Sequence, residues 1–334
     1  MSTIPTTSVS AKESGAKASN QMSLSKIWDS YGMLVVFAVL FIACALFIPN
    51  FASWINMRGL GLAISMSGMV ACGMLFCLAS GDFDLSVASI IACSGVTAAV
   101  VINHTESITL GIAAGLLLGV AFGLLNGFVI ARLKINALIT TLATMQIARG
   151  LAYIISDGKA VGIEDERFFT LGSTSWLGMP LPIWITLFCF ILFGFLLNKT
   201  TFGRNTLAVG GNEEASRLAG VPVVRTKIII FALSGLISAA AGIILASRMT
   251  SGQPMTSVGY ELIVISACVL GGVSLKGGIG KISYVIAGVL ILGTVENAMN
   301  LLNISPFYQY VVRGLILLAA VIFDRYKQLA KQKA

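Results

Sequence analysis

The stretch NKTTFGRNTLAVGGNEEASRLAGVPVVRTK, residues 198–227, is a polar island near the middle of an otherwise apolar chain. Within it Asn212 stands before Glu213, Glu214, Ala215, Ser216, Arg217, Leu218 and Ala219, and Gly220, Val221 and Pro222 follow. This order predicts one short helix. The Asn212 side chain can cap free N–H groups, the two glutamates suit the positive end of the helix dipole, and Gly220 can take the left-handed turn that ends it. Leu218, Val221 and the alanines leave a small apolar surface on a solvated element. Two readings stand: a loop helix tucked against its own protein, or a docking helix for a partner.

On both sides of the island the chain is oily. Of 334 residues, 57% are hydrophobic and 11% charged, against about 25% charged in a soluble domain. So little polar material cannot cover a soluble core of this length, and the apolar excess must face lipid or other membrane helices. Apolar runs fall near residues 31–49, 60–79, 85–102, 108–131, 137–155, 183–197, 228–247, 261–275, 282–300 and 310–323. A span needs about 17 to 25 apolar residues, so the expectation is an all-α integral membrane protein with about ten transmembrane helices. Gly61, Gly68 and Gly73 interrupt the second run, and Gly271 and Gly272 the eighth. Either of these is a candidate for a broken or re-entrant segment. The expected organisation is a disordered tail (1–26), an N-terminal membrane half (27–197), the polar loop (198–227), a C-terminal membrane half (228–326) and a short tail (327–334).

Lysine and arginine placement gives the orientation, because positive residues collect in cytoplasmic loops. With the N-terminus inside, sixteen of them fall in cytoplasmic segments, while only Arg58, Lys159, Arg167 and Arg248 fall outside. Both termini are therefore expected in the cytoplasm, and the island with them. The net charge of +8 follows from this asymmetry and does not imply nucleic acid, which needs a basic patch on a soluble face. Residues 1–26 carry no apolar core of a signal peptide. The six cysteines lie inside apolar runs with no CxxC pair and read as small buried hydrophobes. His104 is the only histidine, so a histidine-cluster metal site is excluded. The long outer loop near 156–181 is acidic and aromatic, and Trp176 and Trp184 suit the headgroup level.

Gly111, Gly115, Gly119, Gly123 and Gly127 recur every fourth residue along the fourth run. Such a ridge lets another helix approach very closely, within the subunit or between subunits. A short echo links AGLLLG (114–119) and LKIN (133–136) with AGVLILG (287–293) and LNIS (302–305). The fourth and ninth runs differ by an odd number, so a true repeat would be two halves of inverted topology.

Ionisable residues inside spans usually pair or face a cavity. The candidates are Asp82 and Asp84 in SGDFDLS, Arg149 with Gln146, Glu261 beside Tyr260, Glu296 with Asn297 and Asn300, and Arg313. Asp84 also suits a helix cap. Asp84, Gln146, Glu261, Glu296, Asn297 and Asn300 are the residues whose hydrogen-bonding groups would suit a path for a polyhydroxylated solute. No nucleotide-binding loop is present. The nearest approach, LKGGIGK at 275–281, lacks the first glycine of the phosphate-binding motif and has Ile282 where Ser or Thr is required. If ATP powers transport, another chain must hydrolyse it, which gives the island helix a reason to dock.

GDFDLSVAS around Asp84, the central GRNTLAVGGNEEASRLAG and the run SGQPMTSVGYELIVISACVLGGVSLKGGIGKI (251–282) resemble the permease subunits of bacterial monosaccharide ABC importers. The resemblance covers nearly all of the chain after about Ser25. Within that family, KINALITTLATMQIARGLAYIISDGKAVGIEDE (134–166) is most similar to permeases for L-arabinose, so the implied cargo is a pentose. The resemblance implies the ABC importer permease fold, in the inner membrane, as a homodimer around a central path. It implies a cytoplasmic ATP-binding protein that uses ATP and Mg, a periplasmic sugar-binding protein, and no cofactor bound by this chain. The family's coupling helix corresponds to residues 212–220, so Arg204, Asn212, Glu213, Glu214, Ala215, Arg217, Leu218, Gly220, Val221 and Pro222 are the expected coupling residues. Asp82 and Ala88 stand where glycines are common in the family. The rival reading is a secondary transporter using Asp82, Asp84, Glu261 or Glu296 for proton coupling. A passive channel or scaffold is a third, with no use for an ordered central helix.

Overall fold

The computed structural model describes residues 24–333, so of the tail expected over 1–26 residues 1–23 lie outside the described residues, while 24–26 already belong to the first helix and the stretch expected as a tail from 327 continues the last helix to Lys333. Helices dominate because a backbone group in hydrocarbon has no water to bond, and a helix satisfies all of them within one segment. In chain order they are α1 (Leu24–Phe47), α2 (Trp54–Ala79), α3 (Val87–Thr105), α4 (Ile108–Ala131), α5 (Ala137–Ser156), the single turn α6 (Thr170–Ser173), α7 (Leu181–Lys199), α8 (Thr201–Gly211), α9 (Glu213–Leu218), α10 (Val223–Met249), α11 (Tyr260–Gly271), α12 (Ile282–Leu301) and α13 (Pro306–Lys333). Among the described residues seven helices are long and apolar enough to cross a membrane, and three shorter apolar ones, Gly32–Phe47, Tyr260–Gly271 and Pro306–Ile322, accompany them. The chain is an all-α membrane protein with the ten apolar helices expected.

The centre is α2. Residues 68–79 are buried on every side, against α7, α10, α11 and α12. The expected break in this run does not occur. Its glycines serve packing instead: Gly68 faces Thr186 and Phe190 of α7, and a Cβ on Gly73 would lie 3.1 Å from the Ser234 Cα of α10. The eighth run does depart from a full span. Twelve residues of α11 rise only about 18 Å, well short of the ~30 Å hydrocarbon layer. The segment before it, residues 250–259, is non-helical and pairs antiparallel with the loop between α5 and α6, Val161 opposite Gly252. Arg149 of α5 donates to the carbonyls of Pro254 (2.5 Å) and Thr256 (2.8 Å), supplying the bonds that an irregular backbone lacks in a membrane.

The glycine ridge of α4 is occupied inside the chain. Gly111 and Gly115 face α3, and Gly119, Gly123 and Gly127 face α10. A Cβ on Gly123 would lie 2.8 Å from the Ala232 Cα and closer still to the Phe231 carbonyl oxygen. Asp82 and Asp84 fall in the turn between α2 and α3 rather than inside a span. Asp84 is fully buried, and its carboxylate accepts from Ser86 N (3.0 Å), Ser86 Oγ (2.5 Å) and Ser234 Oγ (2.7 Å). Asn126 of α4 donates to Ser86 Oγ at 2.9 Å, so this one carboxylate ties α3, α4 and α10 together. All six cysteines are buried and unbridged.

The short echo has a backbone counterpart. Lys134 and Asn303, the second residues of LKIN and LNIS, both adopt positive φ, 57° and 54°. Two residues on, Asn136 caps α5 through Leu138 N and Ser305 Oγ accepts from Phe307 N. Gly127, near the end of α4, touches Ile228 at the start of α10, which places Lys134 on the α9 face. Asn303 ends α12 on the opposite face.

Gly123→Val is expected to reduce the folded chain recoverable from membranes by roughly tenfold, since overpacking against fixed backbone costs about 1–3 kcal/mol or more. Gly150→Ala, with nothing within 4 Å of the new methyl, should leave it unchanged. Size-exclusion profiles of detergent-extracted protein compare the two.

Candidate functional site

Two clusters carry the sequence-derived candidates, one at each end of the helices. At the first, α9 forms as its residues dictate. Asn212 Oδ1 accepts from Ala215 N at 2.9 Å, and Glu213 and Glu214 occupy the first turn. Gly220 takes φ +82°, with its N–H on the Arg217 carbonyl (3.1 Å) and the Val221 N–H on the Ser216 carbonyl (3.0 Å). Pro222 then stops the helix from continuing. Ser216 is the one buried residue of α9. Ala215 and Pro222 are exposed, Leu218 is 81% exposed, and the Glu214–Arg217 pair lies at the surface. Beside it an apolar groove of about 440 Å³ is lined by Arg217, Val223, Val224, Ile228 and Ile229 among others.

The island also holds α8, a second helix that the sequence reading did not separate. Thr200 caps it by accepting from Gly203 N at 3.2 Å, a cap whose threonine was visible in the sequence. Arg204 is exposed on α8. At its end Gly210 leaves no room for a Cβ against the Ala79 carbonyl, and Gly277 and Gly278 of the α11–α12 connection press on Gly210 and Gly211. The Gly278 N–H donates to the Ala79 carbonyl at 2.9 Å. Under this junction Lys227 of α10 bonds both Glu213 of α9 (2.8 Å) and Asp82 of the α2–α3 turn (3.0 Å). An acid in the SGDFDLS turn and a lysine bordering an apolar run were the two halves of that signal in the sequence.

The second cluster lies toward the opposite end of α12. Glu296 accepts from Arg313 Nε of α13 at 2.7 Å. Asn297 and Asn56 of α2 exchange two amide bonds of 2.9 Å, and Gln309 donates to Asn300 Oδ1 at 2.7 Å. Three polar positions on α12, Glu296, Asn297 and Asn300, thus fasten it to α2 and α13. Glu296 lines two cavities. One of about 60 Å³ reaches Ser67 and Asn300; the other, about 150 Å³, lies among α11, α12 and α13 with Ser266, Tyr310 and Arg313. Arg313 sits 5.5 Å from the centre of the Tyr310 ring.

The six pathway candidates are not all brought together. Glu296, Asn297 and Asn300 cluster, while Glu261 is on α11 beside Arg149, whose charge acts on it. Gln146 is exposed on α5, and Asp84 is enclosed near the α9 end.

The chain matches the family described as branched-chain amino acid transport system / permease component over residues 56–321. It is 83% identical to the L-arabinose transport system permease protein AraH of Escherichia coli (strain K12), covering 97% of this chain and 99% of that one. It is 54% identical to the L-arabinose ABC transporter permease protein AraH of Azospirillum brasilense, covering 89% and 88%. Identity to the ribose import permease protein RbsC of Bacillus subtilis (strain 168) is 42%, covering 90% and 94%. No solved structure matches. By the extent of these matches and its bundle of apolar helices, the chain belongs to the permease-component family of membrane transport systems.

Proposed function

We propose that this chain is the membrane subunit of an ATP-driven importer for L-arabinose, paired with a second copy of itself. A periplasmic sugar-binding protein would deliver the sugar to the face opposite α9. The carrying observation is the 83% identity over nearly the full length of an L-arabinose permease. As a permease component it leaves ATP hydrolysis to a separate subunit. The charge asymmetry of its loops supports a cytoplasmic α9 and cytoplasmic termini.

The exposed α9 supports docking of the ATPase there. A capped helix with an 81% exposed Leu218 and charged residues around it has the form of an apolar anchor with a polar rim. Leu218, Val221 and Ala215 would enter a groove on the ATPase, and Arg204, Glu213, Glu214 and Arg217 would set its register. When ATP draws the partner domains together, α9 moves with them and tilts the spans that follow it. Sugar would pass the Glu296–Arg313 pair, whose carboxylate and guanidinium can accept from and donate to neighbouring hydroxyls, with Asn297 and Asn300 holding α12 in place. The near-full-length identity to an ABC permease speaks against proton coupling; of its four candidate acids Asp82, Asp84 and Glu296 are each engaged by a partner, while Glu261 Oε2 is buried without one.

In a reconstituted complex with the ATPase and binding protein, Leu218→Asp is expected to abolish sugar-stimulated ATP hydrolysis without changing membrane insertion. Leu218 is too exposed to matter for folding. Full stimulation in the variant sinks the docking reading. Replacing the pair together, Glu296→Ala with Arg313→Ala, is expected to cut L-arabinose uptake by roughly tenfold, about 1.4 kcal/mol, with the complex still assembled. Unchanged uptake places the path elsewhere.

A further inference from the structure

We propose that Lys227 is the positioning residue that transmits movement of α9 to the turn between α2 and α3, and through it to the central helix α2. This rests on the reading of α9 as the ATPase-coupling helix and names the link by which that coupling enters the membrane.

The geometry is that of a load path. Glu213 is the first residue of α9, so its position follows any rotation or lift of that helix. Its carboxylate meets the Lys227 ammonium at 2.8 Å. The same ammonium meets Asp82 at 3.0 Å, and Asp82 lies three residues past the end of α2. Two residues further, Asp84 grips Ser86 at the head of α3 and Ser234 of α10, and Asn126 of α4 joins through Ser86. A displacement at α9 therefore reaches four membrane helices through two ion pairs, the backbone of the α2–α3 turn from Asp82 to Asp84, and the hydrogen bonds around Asp84. Within α9 itself only Ser216 is buried, and the end of α8 just before it bears on the Ala79 carbonyl as a second contact with the end of α2.

The two limbs differ in a way that suits a releasable link. The side chains of Lys227 and Asp82 are 10% and 12% exposed, whereas that of Glu213 is 52% exposed. Glu213 can exchange the ammonium for water at little cost, but Asp82 cannot. The Lys227–Asp82 limb is thus fixed to the membrane body and the Glu213 limb is detachable. One positive charge holds two carboxylates that would otherwise repel. With Glu213 withdrawn the charge balance at Asp82 is still met, which gives two stable arrangements. A pair held only for stability has no need of this asymmetry, because an apolar replacement of similar volume serves a buried site as well.

The test uses the assembled importer in liposomes with its ATPase and binding protein, reading L-arabinose imported per ATP hydrolysed. The double variant Lys227→Met with Asp82→Asn removes the link without stranding a buried charge. It is expected to retain the ATPase and to lower the transport-to-hydrolysis ratio by roughly tenfold, within the usual span of coupling between two sites. Lys227→Arg, which keeps both ion pairs, should recover most of the ratio. A double variant with the wild-type ratio overturns the proposal. If the double variant does not insert, Asp82→Asn alone, which leaves Lys227 paired with Glu213, carries the same test with the same two outcomes. Loss of the ATPase from Leu218→Asp together with an unchanged ratio in the Lys227 and Asp82 variants leaves the docking reading intact and removes this one. A wild-type chain that retains no ATPase overturns both.

Discussion

Inside a bilayer a backbone N–H or C=O has no water to fall back on, and each one left unmet costs several kcal/mol. Most of this chain answers with uninterrupted helix, including the glycine-bearing α2. One long exception is the stretch ahead of α11, and there the structure provides Arg149. Its guanidinium meets two carbonyls that helix geometry would otherwise have satisfied. The short helix and the half-buried Arg149 answer the same constraint.

Polar residues elsewhere serve the same end by fixing how helices meet. Apolar side chains give little driving force for association between helices already in lipid, so alignment falls to close backbone approach and to a few hydrogen bonds. The glycine face of α4 provides the first against α10. Asp84 with Ser86, Ser234 and Asn126 provides the second near the α9 end, and the Asn56–Asn297 exchange does so toward the opposite end. The two polar clamps lie toward opposite ends of the bundle, with the α4–α10 glycine contact between them.

How far the sequence reveals this depends on the range of each interaction. Elements set by neighbours along the chain were legible: the Asn212 cap, the Gly220 turn, and the ten apolar runs. Elements set by contacts distant in sequence were not. The glycines of α2 looked like breaks because only the packed neighbours α7 and α10 explain them. Asn297 and Asn300 looked like free hydrogen-bonding groups because nothing local shows their partners Asn56 and Gln309. Arg149 carried no local sign that its partners would be carbonyls, and Lys227 none that it would meet two acids 145 and 14 positions away. Family resemblance supplied the proposed role of residues 212–220, which pattern alone left balanced between a tucked loop and a docking helix.

At the junction of the α2–α3 turn, the end of α8 and the connection between α11 and α12, contact is made by Gly81, Gly210, Gly277 and Gly278, backbone against backbone. A side-chain interface has rotamers that can yield and absorb strain. This one has none, so it is mechanically stiff, and a force applied to one segment is passed on rather than dissipated as local repacking. Stiffness also narrows what sequence change can do there, since no larger residue can be introduced to tune the contact. The region can hinge as a block or stay closed, with few states between.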